Sequence, residues 1–211
     1  MTGRDPFDRQ DASNDAWFYA TERKVAHLEP GAIAALRAFY ATVLAPGSAV
    51  LDLMSSWRSH LPDGLGVVIG LGMSAGEMDD NPQLSSFVVH DLNREPRLPF
   101  DDASFDAVVC AVSVQYLIRP VEVFTDVRRV LRAGGHVVVS FSNRCFPTKA
   151  VAVWLANDGD GHRRLVRDYL ERSGFDEVQD QSFATRDDPL SVVSALRPAP
   201  GATDGGPVST G

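Results

Sequence analysis

Along the middle of the chain the apolar residues come in short unbroken runs: AVLDL (Ala49 to Leu53), VVIGL (Val67 to Leu71), SFVVH (Ser86 to His90), DAVVCAV (Asp106 to Val112) and HVVVSF (His136 to Phe141). Unbroken runs, unlike alternating ones, predict strands covered on both faces, as in parallel sheets flanked by helices. The stretch Val121 to Leu131 sets Val123, Phe124, Val127, Val130 and Leu131 at helical spacing. Two further helices are predicted upstream, Ala16 to Leu28 and Ala32 to Leu44, the second with Ile33, Leu36, Phe39, Tyr40 and Val43 on one face, and Pro30-Gly31 separates them. Downstream, Thr148 to Leu155 and His162 to Ser173 read as helix broken by the turn residues Asn157 to Gly161. The weaker strands Phe175 to Phe183 and Leu190 to Leu196 follow without a helix between them, which predicts an antiparallel hairpin at a sheet edge. The pattern is that of an α/β fold, a doubly wound sheet of about seven strands, mostly parallel.

Composition refines this picture at the ends and at the surface. Residues 1–15 are polar without periodicity, and 198–211 are rich in Pro, Gly and Thr, so both are expected to be disordered tails around one domain spanning 16–197. A chain of 211 residues suits one such domain. Its formal charge of -8 argues against nucleic acid, and the pairs Arg128-Arg129 and Arg163-Arg164 fall in amphipathic helices, where charge marks a solvated face. Cys110 and Cys145 lack zinc or disulfide spacing. The N-terminus has no apolar leader core and no run is long enough to span a bilayer, so a cytoplasmic protein that binds neither membrane nor metal is expected.

In such sheets ligands bind beyond the carboxyl ends of the strands. That selects Asp52 to Arg58, Gly72 to Ser74, Asp91 to Asn93 and Ser113 to Tyr116. The stretch LPFDDASFDAVVCAVSVQYL (Leu98 to Leu117), a helix, and then LRAGGHVVVSFSN (Leu131 to Asn143) resemble class I S-adenosylmethionine-dependent methyltransferases of the methyltransferase-11 kind, Rossmann-like in fold. The resemblance covers roughly Gly31 to Leu196. It implies a cofactor, S-adenosylmethionine, with Asp91 near the adenine amino group, Leu92 beside the ring, and Val112 with its neighbours on the methionine side. It also implies that Asp52, Met54 and Ser55 after the first strand, and Gly72 and Met73 after the second, approach the ribose and amino acid portions. Taken alone, Asp91 after an apolar strand reads sooner as a turn cap, and it is the flanking motif that tips it towards a ligand; His90 reads as structural.

Two positions depart from the family. Active members carry a glycine-rich turn after the first strand, where this chain has Met54, Ser55 and Ser56 followed by Trp57, and Met54 to Gly66 is short for a loop plus helix. They also carry an acidic residue at the end of the second strand to bind the ribose hydroxyls, where this chain has Gly72; Glu77 or Asp79 could substitute, or serve as solvated helix charges. Either Ser55, Ser56 and Trp57 form a different cofactor cradle, or the chain is a non-catalytic binding or regulatory module. A nicotinamide oxidoreductase is disfavoured, since neither GxGxxG nor the acidic residue is present. The expected activity is methyl transfer to a small-molecule acceptor. Candidate acceptor contacts are His60, Tyr116, Asn143 and Arg144 at strand ends and Trp17, Tyr19 and His27 on a lid helix, with Trp57 beside them; no catalytic base stands out. Cys145 reads as a packing residue.

Overall fold

The computed structural model describes residues 5–185 and 189–199. Its centre is a seven-stranded sheet in the order β3-β2-β1-β4-β5-β7-β6. Strands β1 (Val50–Leu53), β2 (Val68–Gly72), β3 (Ser86–Val89), β4 (Phe105–Ala111) and β5 (Leu131–Phe141) run parallel, and β7 (Leu190–Leu196) and β6 (Asp176–Phe183) close one edge as an antiparallel hairpin. The doubly wound, mostly parallel sheet with its edge hairpin is therefore as the sequence predicts. β3 departs from the expectation of two covered faces: it is the opposite edge strand, and Val89 is 54% exposed.

Alternate residues of each strand supply two cores. Val50, Val109, Val138 and Val192 pack beneath α2 (Pro30–Val43), whose Ala32, Leu36 and Tyr40 are buried. Leu51, Val108, Val137 and Val193 face the other way, against α4 (Pro120–Val130) and α6 (Gly159–Arg172). Val123, Phe124, Val127 and Val130 of α4 are fully buried, each contributing about 1.5–3 kcal/mol of apolar transfer. The same helix fixes the loop before β4: Asp126 accepts from the Leu98 amide at 2.6 Å, and Arg129 donates to the Leu98 and Phe100 carbonyls. The Gly134-Gly135 turn falls inside β5 at a register shift; Gly134 has φ 73°, and a Cβ on Gly135 would meet the Asp106 carbonyl oxygen at 2.9 Å.

The N-terminal expectations need correction. Residues 5–15 are not a free tail but a docked strap. Phe7 packs against the core beside Tyr169, and the Ala152 and Val153 amides donate to the carbonyls of Asp8 and Pro6. Fully buried Lys149 places its ammonium 3.1 Å from both Asp11 and Asp15, and Arg9 reaches both oxygens of Asp15 at 2.9 and 2.8 Å. Burial opposes ionisation of Asp15, but the Asn93 amide, Arg9 and Lys149 outweigh it and hold the carboxyl below its ordinary value. A polar segment thus docks by charge complementarity with residues far away in sequence, which no local periodicity reveals.

The helix predicted from Ala16 to Leu28 shrinks to α1 (Asp15–Tyr19), because the polar run from Thr21 to Lys24 turns its groups toward other partners; Lys24, for instance, pairs with Asp80. The helix predicted from Thr148 shrinks to α5 (Ala152–Leu155), because the strap and the Gln115 carbonyl take the amides of residues 151–153. Of the C-terminal tail, everything from residue 200 onward lies outside the described residues. Among the described residues no helix is long and apolar enough to cross a membrane.

Replacing Lys149 by Met removes the cation shared by Asp11 and Asp15, leaving Asp11, among the described residues, with Ser13 alone and Asp15 with Arg9 and Asn93. We expect urea denaturation to show a loss of roughly 3 kcal/mol, the lower end of the range for breaking a buried ion pair, and hydrogen exchange to show faster amides in residues 8–19. An unchanged midpoint with unchanged exchange would mean that the strap is held by its apolar contacts alone.

Candidate functional site

A cleft opens beyond the carboxyl ends of β1 to β4, walled by the residues that follow those strands and roofed by the strap and the turn after it. Of the sequence candidates, Tyr19, Asp52, Met54, Ser55, Trp57, His60, Gly72, Met73, Asp91, Leu92, Val112 and Tyr116 all line it. Asn143 does not: the chain turns at Ser142, whose hydroxyl binds the His27 carbonyl, and leaves Asn143 exposed. Trp17 is 74% exposed and outside the cleft, and Arg144 pairs with Glu29 at 2.7 Å. His27 does line the cleft, edge-on to Phe146.

The floor is set by Asp52, in the middle of β1. Its carboxylate is buried, and one oxygen accepts from the hydroxyls of Ser55 at 2.5 Å and Ser59 at 2.6 Å. Burial pushes this carboxyl up to about 6, against the opposing pull of those two hydroxyls. Asn81 donates to the Ser59 hydroxyl and to the Ser56 carbonyl, both at 2.8 Å. The segment from Met54 to Val67 contains no helix, and these side chains replace the hydrogen bonds a helix would have supplied.

This loop explains the missing strand-end carboxylate. The Ser55 amide donates to the Leu71 carbonyl at 2.8 Å, and the Ser55 carbonyl lies where a Gly72 side chain would begin: a Cβ there would stand 2.2 Å from its oxygen. No side chain fits at 72. A carboxylate arrives instead from α3 (Ala75–Asp79), where buried Glu77 accepts from the Arg23 amide and the Ser56 hydroxyl and lines the cleft, while Asp79 is exposed.

Along the next strands, Asp91 accepts from the amides of Asn93 and Arg94 through one oxygen, so it caps the turn and still borders the cleft. His90 lines the cleft and bonds the Glu95 carbonyl through its ring. Asn93 joins three walls: its amide donates to Asp15 and to the Tyr116 carbonyl, and its oxygen accepts from Ile118. The Tyr116 hydroxyl accepts from the Phe146 amide, and burial pushes the phenol up to about 12, so it remains neutral. His60 is held below its usual value by burial and then by Arg58, and His27 by burial and then by Arg144, which leaves both imidazoles uncharged at neutral pH.

Five described residues other than glycine have positive φ, and three of them, Met54 (58°), His60 (58°) and Val112 (46°), line this cleft. For a β-branched residue such as Val112 this is a costly conformation, of order 1–3 kcal/mol. It is enforced by the Val112 amide donating to the Ser140 carbonyl and by the Gln115 side chain donating to the Val112 carbonyl, both at 2.7 Å. The residues that sequence reading missed as cleft walls, Asp15, Arg23 and Phe146, come from the strap, the turn after it or the loop after β5, and no local motif marks them, whereas Asn93 lies in the strand-end loop that the sequence selects.

Residues 60–139 match the methyltransferase domain family, and the match begins within the crossover after β1, beyond Met54 to Trp57. A malonyl-[acyl-carrier protein] O-methyltransferase from Marinomonas sp. (strain MWYL1) is 30% identical over 99 residues, which cover 46% of this chain and 36% of that enzyme. The chain thus aligns with about a third of its relative's length. Among solved structures, the methyltransferase bound to the Trm112 activator in Haloferax volcanii superposes with a TM-score of 0.58 at 19% identity, covering 80% of this chain and 90% of that one. Phosphoethanolamine N-methyltransferase 2 of Haemonchus contortus, in complex with S-adenosyl-L-methionine, gives 0.53 at 12% identity over 77% of this chain and 53% of that one. At these identities the superpositions establish the fold.

Gly72→Ala forces the Ser55 carbonyl away and is expected to cost about 1–3 kcal/mol in thermal or urea unfolding; a neutral substitution would show that the loop is loosely seated. Asp52 carries a signed pH dependence. Its carboxyl lies at about 6 in the fold against 3.8 in the open chain, so the folded state holds the proton more tightly, and this contribution to stability is full below pH 4 and lost as pH rises through 6. Asp52→Asn should therefore gain stability relative to the parent by about 1–3 kcal/mol between pH 4 and pH 7. A constant difference across that range would place the Asp52 carboxyl at its ordinary value.

Proposed function

We propose, from the premise that this chain is a class I methyltransferase in fold and domain family with altered cofactor loops, that it binds S-adenosylmethionine and transfers the methyl group to a small-molecule acceptor. The observation that carries the reading is the placing of Asp52, Glu77 and Asp91 around one cleft at the carboxyl ends of β1 to β3. The cofactor combines a sulfonium, an ammonium, a ribose diol and an adenine amino group, all served by carboxylate acceptors. Glu77 has used only part of its accepting capacity on Arg23 and Ser56, and it takes the ribose role that Gly72 cannot fill. Asp91 keeps its second oxygen for the adenine amino group, with Leu92 against the ring. Asp52, with Met54 and Ser55 above it, serves the cationic methionine end opposite Val112.

S-adenosylmethionine, when bound, supplies an electrophilic methyl group on sulfur. The protein's contribution is to orient the acceptor in line with that group and to exclude water. Tyr19, His27, Trp57, His60 and Phe146 also line the cleft, and the neutral imidazoles can accept a proton from the acceptor. Only ten residues, 142–151, separate β5 from α5, which limits the lid to the strap and the following turn and favours a small acceptor in a cytoplasmic setting.

Titration calorimetry with S-adenosylmethionine and S-adenosylhomocysteine is the direct test. Micromolar binding is expected, weakened roughly 5- to 100-fold by Glu77→Gln and by Asp91→Ala, the range for losing one hydrogen bond to a charged group. Affinity should rise between pH 5 and pH 7 as Asp52 ionises, and Asp52→Asn should flatten that rise. Absence of binding at millimolar ligand would leave a non-catalytic binding module as the reading.

A further inference from the structure

Within this cleft the charges are unevenly satisfied. Asp15 is engaged by Arg9, Lys149 and Asn93, Asp52 by two serine hydroxyls, Glu77 by Ser56 and the Arg23 amide, and Asp91 by its own turn. The two cations lining the cleft differ from each other. Arg23 donates to the Phe18 and Thr21 carbonyls and stacks on the Phe18 ring at 3.9 Å, so its guanidinium knits the lid together. Arg58 has no hydrogen bond or ion pair to any described residue, although the chain has 28 acidic side chains against 20 basic ones. It is nevertheless held in place. Its guanidinium lies over the Trp57 ring at 4.3 Å, and the Trp57 indole donates to the Val25 carbonyl of the lid at 3.4 Å.

We propose that Arg58 is the docking group for an oxyanion on the methyl acceptor, a carboxylate or a phosphate, so that the acceptor is an acidic small molecule. This rests on the methyl-transfer reading above and narrows it. A guanidinium stacked on an indole keeps its planar edge of donors free for a bidentate oxyanion, and stacking restricts its rotamers before the ligand arrives. The site is also selective by elimination. Arg23 is committed to the lid, the His27 and His60 imidazoles are held neutral, and the carboxylates Asp15, Asp52, Glu77 and Asp91 around the rest of the cleft disfavour an anion away from Arg58. Trp57 supplies a nonpolar wall next to the anion, and His60, two residues beyond Arg58 and also lining the cleft, offers a neutral acceptor for the proton of the reacting group.

The test uses malonate and inorganic phosphate as probes, with malonamide as the uncharged control, followed by nuclear magnetic resonance of the full chain, including the Trp57 indole N–H signal, with and without saturating S-adenosylhomocysteine. Malonate, phosphate or both should bind in the millimolar range, about ten-fold or more tighter than malonamide, since a charge-assisted pair is at stake. Arg58→Gln should abolish that preference, Arg58→Lys should restore part of it, and S-adenosylhomocysteine affinity should stay within about two-fold of the parent, as it would where an exposed contact is not used. Which of the two probes binds tighter identifies the oxyanion. The proposal is overturned if malonate and malonamide bind alike, or if Arg58→Gln instead weakens S-adenosylhomocysteine, which would assign the guanidinium to the cofactor's own carboxylate. If the anions bind through Arg58 while neither cofactor form binds at all, the methyl-transfer reading fails and an acid-binding module remains.

Discussion

Between Leu53 and Val68 the chain must travel back across a parallel sheet, a path on which backbone amides and carbonyls are normally satisfied inside a helix. Here the satisfaction comes from side chains hung on one buried carboxylate. Asp52 anchors Ser55 and Ser59, Asn81 ties Ser59 to the Ser56 carbonyl, and Ser55 pins its backbone to Leu71. From that constraint follow the glycine at 72, the entry of Glu77 from the next helix, and the left-handed backbone of Met54 and His60. An unusual crossover has reshaped the cleft on one side while leaving the strand order and the β4 side intact.

The second organising element is electrostatic. A buried lysine on the β5 side holds an acidic strap, and the strap's Asp15 reaches across to Asn93 after β3. Two of the cleft's walls are thereby tied to each other by charge rather than by apolar packing. The arrangement gives the cleft a roof of defined position, with Arg23 held by Glu77 and Phe18 and His27 by Phe146.

Much of the architecture is legible in the sequence because burial on both faces writes itself as unbroken apolar runs, and because α4 carries its core face at strict helical spacing. The strand-end logic likewise finds nearly all of the cleft: Asp52, Gly72, Asp91 and Tyr116 are there because topology puts strand ends together. What local pattern cannot report is pairing over distance. The strap looks like a polar tail until Lys149 is placed beneath it, and Gly72 looks like a lost function until the Ser55 carbonyl is seen against it. Asn143 reads as a strand-end residue like the others, and only the turn at Ser142 points it outward.

The strap also orders events in time. Lys149 and the Asp11 carbonyl it contacts are separated by 138 positions, and the Asp8 and Pro6 carbonyls meet amides later still in the chain. The strap is thus synthesised well before the residues that hold it and is among the last segments to find its place, since closing so long a loop is entropically expensive until the sheet has formed. During synthesis the cleft stays roofless, and its completion reports that the chain has folded at least as far as α5.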